Sequence, residues 1–156
     1  MAHDTEPDSS GETTGGTGLG HRSVTMTRTA KGTYLVSNVR GGTLSVGGGG
    51  ESADFTPVEL FLTAMAACSA TDVDFITSRI AEPVQFDVRS EGEKLRDGVE
   101  NHMGDIEVTF TVRFPAGSDG DRARARLPRA IEQSRDRLCT VSRTVQRGAP
   151  ISMHEG

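Results

Sequence analysis

The stretch from Phe55 to Cys68 constrains this chain more than any other. Phe55-Thr56-Pro57-Val58-Glu59-Leu60 carries a complete helix start: Thr56 fits the N-cap, Pro57 the first helical position and Glu59 the third, which makes a capping box. Phe55 and Leu60 have the spacing of a hydrophobic staple. The signal predicts a helix running to about Arg79 or Ile80, short of Pro83, which forbids much continuation. Its first half, Leu60 to Cys68, is apolar on nearly every side. Surface helices of globular proteins carry an apolar stripe, so a helix without a polar face has to be surrounded by protein. The apolar run from Val58 to Cys68 is too short to span a bilayer, and no membrane helix is expected. A small chain with such a helix finds the missing wall in a second subunit, which predicts a homodimer.

Around this helix the periodicity is that of strands. Val24 and Met26 alternate with threonines, and Thr33–Val39 and Thr43–Val46 follow, punctuated by Gly32, Arg40-Gly41-Gly42 and Gly47–Gly50. The glycine run lacks the Gly-Lys-Ser/Thr ending of a phosphate loop. Beyond the helix, Val84, Phe86 and Val88 alternate with polar residues, as do Ile106, Val108, Phe110, Val112 and Phe114; the two segments predict an antiparallel hairpin across a polar link, Lys94 to Asp105. After Gly117-Ser118-Asp119-Gly120, helical spacing returns in Ala123, Leu127, Ala130, Ile131 and Leu138, with Pro128 expected to kink or restart the helix. A short helix from Cys139, closed by Gly148, and a final strand Ala149–Met153 complete the order. Strands, a buried helix, strands and helices in that sequence define an α+β fold, with antiparallel sheets packed around a long buried central helix.

Residues 1–22 form an acidic Gly/Ser/Thr tail with four acids and one arginine, a net −3 of the chain's −5. Such a segment buries too little apolar surface to offset the entropy of ordering it, so a disordered tail is expected, followed by one domain over 23–156. The acidic balance has the wrong sign for nonspecific phosphate binding, which argues against nucleic acid. Met1-Ala2-His3-Asp4 lacks the basic start and apolar stretch of a secretory signal, which places the protein in the cytoplasm.

Four histidines, His3, His21, His102 and His154, show no metal-ligand spacing, and neither a Cys-x-x-Cys nor a G-x-S-x-G pattern occurs. No metal and no cofactor is expected. Two thiols remain, Cys68 inside the first helix and Cys139 between two helical pieces, where unpaired backbone N–H groups favour a thiolate. Free cysteine is among the most buried residue types, so both also read as small apolar fillers.

Phe55-Thr56-Pro57-Val58-Glu59-Leu60-Phe61-Leu62-Thr63-Ala64-Met65-Ala66-Ala67-Cys68-Ser69-Ala70-Thr71-Asp72-Val73 resembles the helix that bears the first cysteine in the OsmC/Ohr family of osmotically inducible and organic hydroperoxide resistance proteins. Arg137-Leu138-Cys139-Thr140-Val141-Ser142-Arg143-Thr144 is similar to that family's second-cysteine segment, and the resemblance covers roughly residues 24–154. It implies the OsmC-like fold as an intertwined homodimer. It further implies a thiol-dependent peroxidase acting on organic hydroperoxides and less well on hydrogen peroxide. Cys68 would be the peroxidatic thiolate and Cys139 the resolving thiol, and a lipoyl-type dithiol or a small thiol would reduce the resulting disulfide.

A peroxidatic thiolate needs a cation nearby, because burial alone raises a cysteine's pKa. The family's hydroperoxide-specialised branch places a glutamate ten positions before the first cysteine, holding an arginine from the early strands; this chain has Val58 there, with Glu59 next to it. Arg28, Lys31 and Arg40 are substitutes for the arginine, and Arg143 is a candidate to face Cys139. Those departures keep open the alternative of a noncatalytic OsmC-fold dimer, a stress or ligand-binding protein whose cysteines are structural or redox-sensing.

Overall fold

The structure, a computed structural model, describes residues 18–156. For residues 1–17 the expected disordered tail lies outside it. The order of elements is β1 (Val24–Ala30), β2 (Thr33–Asn38), β3 (Thr43–Gly47), α1 (Pro57–Thr77), β4 (Gln85–Asp97), β5 (Glu100–Arg113), α2 (Ser118–Gln133), a π-helical turn (Ser134–Leu138) and α3 (Thr140–Arg147). This is the α+β class that the periodicity predicts. Two compact units divide the chain, Met1–Leu60 and Phe61–Gly156.

In the first unit, β1, β2 and β3 form an antiparallel meander in that order. Its turns fall where the glycines are: Gly32 and Gly41 both adopt the left-handed region. The entry to α1 is tied to β3, whose Gly47 N–H donates to the Phe55 carbonyl at 3.1 Å. The capping box forms as expected. Thr56 N–H donates to Glu59 Oε2 at 2.8 Å and Glu59 N–H to Thr56 Oγ1 at 3.4 Å. Glu59 thus has a structural role at the helix start, whatever else it does.

In the second unit, β4 and β5 make one long antiparallel hairpin. Its half-buried face is the alternating set Ile106, Val108, Phe110 and Val112, and Phe110 meets Phe86 edge to face at 6.3 Å between ring centroids. Pairing continues past the expected ends: the segment read as a polar link is strand up to Asp97 and from Glu100. A register shift between Gly92 and Lys94 ends the clean alternation, which hid this part from a reading by period. Gly98-Val99 makes the turn between the paired Asp97 and Glu100, with Gly98 at φ 60°. Glycine at the first of two loop residues is itself a hairpin signal.

α1 buries a single stripe, Met65, Ser69, Val73 and Thr77, and leaves Phe75 63% exposed, so one chain does not surround this helix; the expectations at Pro128 and at Ala149–Met153 change. At 21 residues, with a mean hydropathy of 1.3 over its most apolar part, α1 is long and apolar enough to cross a membrane by length and composition; the shorter run from Val58 to Cys68 does not settle that point. Pro128 does not restart the helix, since α2 runs through it as one element. Pro128 and Arg124, whose carbonyl loses its helical partner, are both at exposed positions, and buried Ala123 and Ala130 hold the helix on either side. Finally, no strand forms at Ala149–Met153. Ile151 and Met153 are exposed, and a strand without a paired edge has no ladder to join.

Two substitutions test this account. Thr56→Ala should cost about 1 kcal/mol in urea unfolding, the usual worth of an N-cap. Gly120→Ala should cost more, about 3 kcal/mol, because its Cβ would overlap the Pro115 carbonyl, a backbone atom that cannot swing aside.

Candidate functional site

Cys68 lies on α1 and Cys139 at the start of α3, and both are free thiols. Their sulfurs and a carboxylate oxygen of Asp72 all lie within 4.8 Å of one another. Asp72 follows Cys68 by one helical turn, which puts the two side chains on the same face. Tertiary structure brings Cys139 to them through the turn between α2 and α3.

That turn is π-helical. The Cys139 N–H reaches back five residues to the Ser134 carbonyl at 2.9 Å, and Cys139 then leaves helical conformation at φ −68°, ψ 101° to cap α3. Capping is done by the sulfur, which accepts from the Ser142 N–H at 3.4 Å. A second donor comes from α1, where the buried Ser69 hydroxyl points at the same sulfur at 3.5 Å. Ser134, 1% exposed, donates its hydroxyl to Asp72 Oδ2 at 2.9 Å. Two hydrogen bonds therefore join the helical segment to α1 around the thiols.

The two cysteines differ in environment. Cys139 is fully buried, whereas Cys68 is half-buried and so reachable from solvent. Burial pushes the Cys68 thiol above its ordinary value; a hydrogen bond with the Val141 backbone opposes this, while Cys139 and the negative charge of Asp72 reinforce it. Burial also pushes Cys139 up, but hydrogen bonds from the Ser142 and Ser69 side chains, the Ser142 backbone and Cys68 outweigh it and leave this thiol below its ordinary value. Of the open backbone N–H groups expected near Cys139, that of Ser142 donates to the sulfur.

Beside the thiols lies a cavity of about 400 Å³, walled by Met65, Ile106, Val108, Phe110 and Ile131. Ser69 and Ser142, both donors to Cys139, line it too.

Arg28 lies on β1 opposite Tyr34, Lys31 in the next turn and Arg40 in the β2–β3 turn, so all three belong to the first unit and the thiols to the second. Val58, in the glutamate position, is likewise in the first unit. Arg143, by contrast, gives its guanidinium to Gln146 Oε1 at 2.7 Å. Sequence reasoning missed Asp72, Ser69, Ser134 and Ser142. A Cys-x-x-x-Asp spacing on a helix was the available signal for Asp72; the serines had none.

Comparison with known proteins places the chain in a family and a fold. The family described as OsmC-like protein matches residues 48–154. An uncharacterized protein of Mycobacterium bovis is 28% identical over 127 residues, covering 81% of this chain and 90% of that one. Among solved structures, an OsmC-like protein of unknown function from Vibrio cholerae has a TM-score of 0.69 at 12% identity, covering 82% of this chain and 95% of that one. The organic hydroperoxide resistance protein OhrB of Bacillus subtilis has a TM-score of 0.51 at 14% identity, covering 81% and 90%. At these identities the structures speak for the fold alone.

Alkylation rate against pH reads both thiols. Asp72→Asn removes a negative charge that raises the Cys68 pKa, so Cys68 should react at lower pH in the variant. Ser69→Ala removes a donor to Cys139, whose reactivity should move to higher pH. If neither midpoint moves, the hydrogen bonds and charge described here do not set the thiol acidities.

Proposed function

Since this chain belongs to the OsmC-like protein family, we propose that it is a thiol-dependent peroxidase that reduces organic hydroperoxides, and hydrogen peroxide less well. The observation that carries this reading is the approach of two free thiols, one reachable and one buried, within 4.8 Å. Two sulfurs this close need only a small movement to form a disulfide, whose S–S length is about 2.05 Å.

Cys68 is the peroxidatic residue because it is the reachable one. Its thiol loses a proton and the sulfur attacks the terminal peroxide oxygen; the O–O bond breaks, the sulfur is oxidised to a sulfenic acid and the organic part leaves as an alcohol after taking up a proton. Asp72, beside Cys68, is placed to accept the first proton and return it to the leaving oxygen. Cys139 then attacks the Cys68 sulfur and expels water, which leaves the disulfide. The raised acidity of Cys139 suits a resolving thiol, since the thiolate is the attacking form. A lipoyl-type dithiol or a small thiol returns both residues to the reduced state. The mainly apolar cavity beside Ser69 and Ser142 offers room for the organic group of the substrate.

Cys68 as a thiol rather than a standing thiolate has a consequence for pH. Below its pKa the rate of oxidation should rise by about tenfold per pH unit, following the thiolate fraction.

The working form is a homodimer. Phe75 on α1 and Val84 after it stay 63% and 69% exposed in one chain, and every residue of β1 is exposed. Apolar surface on this scale marks an interface in a soluble protein. A cytoplasmic setting, reducing enough to keep the thiols cycling, fits the two-cysteine composition.

Intact mass and nonreducing peptide mapping test the chemistry after one equivalent of an organic hydroperoxide is added to the reduced protein. The expected result is a loss of two hydrogens with a Cys68–Cys139 crosslink within seconds. Cys68→Ser should abolish turnover, and Cys139→Ser should allow one oxidation and stop at the sulfenic acid or beyond. Multiple turnover by Cys68→Ser would overturn the reading in favour of a noncatalytic dimer with structural thiols. Light scattering on an eluting sample should give twice the chain mass of 16.6 kDa.

A further inference from the structure

Cys68, Asp72 and Cys139 present two sulfurs and a carboxylate to one point. We propose that in the reduced protein this trio is a binding site for a borderline-soft divalent cation, of which Zn²⁺ is the type. The inference uses the same cysteines as the peroxidase reading but does not rest on it.

Geometry is the first ground. A tetrahedral zinc ion with Zn–S bonds of about 2.3 Å holds its two sulfurs about 3.8 Å apart, with a carboxylate oxygen somewhat closer. The three ligand atoms already sit within a 4.8 Å limit of one another, so the ion needs only a small inward adjustment. Donor chemistry is the second. Two thiolates select zinc and other soft ions over magnesium or calcium, which prefer all-oxygen sites.

Support around the trio is the third ground. Ser134 donates to Asp72 at 2.9 Å, fixing the carboxylate as the outer partners of metal ligands do. Ser69 and the Ser142 N–H donate to Cys139 and fix the position of its sulfur. Two of the three ligands lie one turn apart on α1, and the third caps α3, so the site stands on regular elements. Half-buried Cys68 supplies the way in. Three protein ligands leave the fourth position to water, the pattern of open rather than closed zinc sites. Metal and disulfide use the same sulfurs, so the two states exclude each other.

The test is titration of the reduced, metal-free full chain with Co²⁺ and with Zn²⁺, followed by absorbance and calorimetry. The expected result is one ion per chain, with a thiolate-to-cobalt charge-transfer band and tetrahedral d–d intensity that Zn²⁺ abolishes. Cys68→Ser should remove the charge-transfer contribution of that sulfur and weaken binding by more than the roughly 10- to 100-fold typical of an outer-partner change. Asp72→Asn should weaken it as well while keeping both sulfur bands, and Ser134→Ala should fall within that 10- to 100-fold range. Should Cys139→Ser fail to fold because Cys139 is fully buried, Cys68→Ser and Asp72→Asn still decide the matter, with circular dichroism as the check on folding. No sulfur band in the wild-type chain overturns the proposal. So does binding that survives intact in Cys68→Ser, which would assign the ion to histidines elsewhere. A chain that binds Co²⁺ through sulfur yet leaves peroxide untouched keeps this site and loses the enzyme; the reverse result does the opposite.

Discussion

One hydrogen bond sets the geometry on which the rest of the site depends: the Cys139 N–H to the Ser134 carbonyl, closing the π-helical turn. An α-helix continued through Ser134–Leu138 would carry Cys139 onward in register with α2. The wider turn stops that register and lets the backbone turn out of the helix at Cys139. The same segment holds Ser134 inward, where its hydroxyl reaches Asp72. Both ends of the turn are thereby committed to the neighbourhood of α1, one through a carboxylate and one through a sulfur. Single π-helical turns are rare overall and frequent at functional sites.

Around that turn the two thiols are made unequal by a simple competition. Each loses solvation, which opposes charge on sulfur. At Cys139 several donors converge, from the Ser142 and Ser69 side chains, the Ser142 backbone and Cys68, and together they outweigh the burial. At Cys68 a single backbone donor faces burial and a carboxylate, and loses. Reachability and acidity are thus divided between the residues. For a peroxide this separates the sulfur that is met first from the sulfur that closes the disulfide; for a cation it leaves an anionic cradle with one accessible edge.

Much of the fold was legible in the chain because its signals are local. Thr56, Pro57 and Glu59 start α1 within four residues, Gly148 stops α3 through its own φ of 64°, and the alternation from Ile106 to Val112 lies on one strand. Failures came where a local rule was overruled by surroundings or by its own blind spot. Pro128 stands in α2 at an exposed position, as does Arg124, whose carbonyl it strands. The far half of the β4–β5 hairpin is exposed apart from the neighbouring Met103 and Gly104, so it shows no alternation to read, although Gly98 marks its turn. At Ala149–Met153 alternation exists without a ladder to join. As for the site, the cysteines stand out because they are the only two, whereas serines that hold a thiol or a carboxylate look like any other serines.

What the sequence determined by itself is therefore the set of elements, their α+β order, the two thiols and the family they belong to. Each follows from residues close together in the chain or from a motif contained in one segment. What only the tertiary structure decided is the meeting of Cys68 and Asp72 with Cys139, the full burial of one thiol against the half-burial of the other, and the opposite directions in which their acidities shift. Those depend on the spacing between α1 and a turn some seventy residues later, fixed by hydrogen bonds at Ser69 and Ser134. No periodicity encodes such a distance, because it arises from how whole elements pack and not from the order of residues within any one of them.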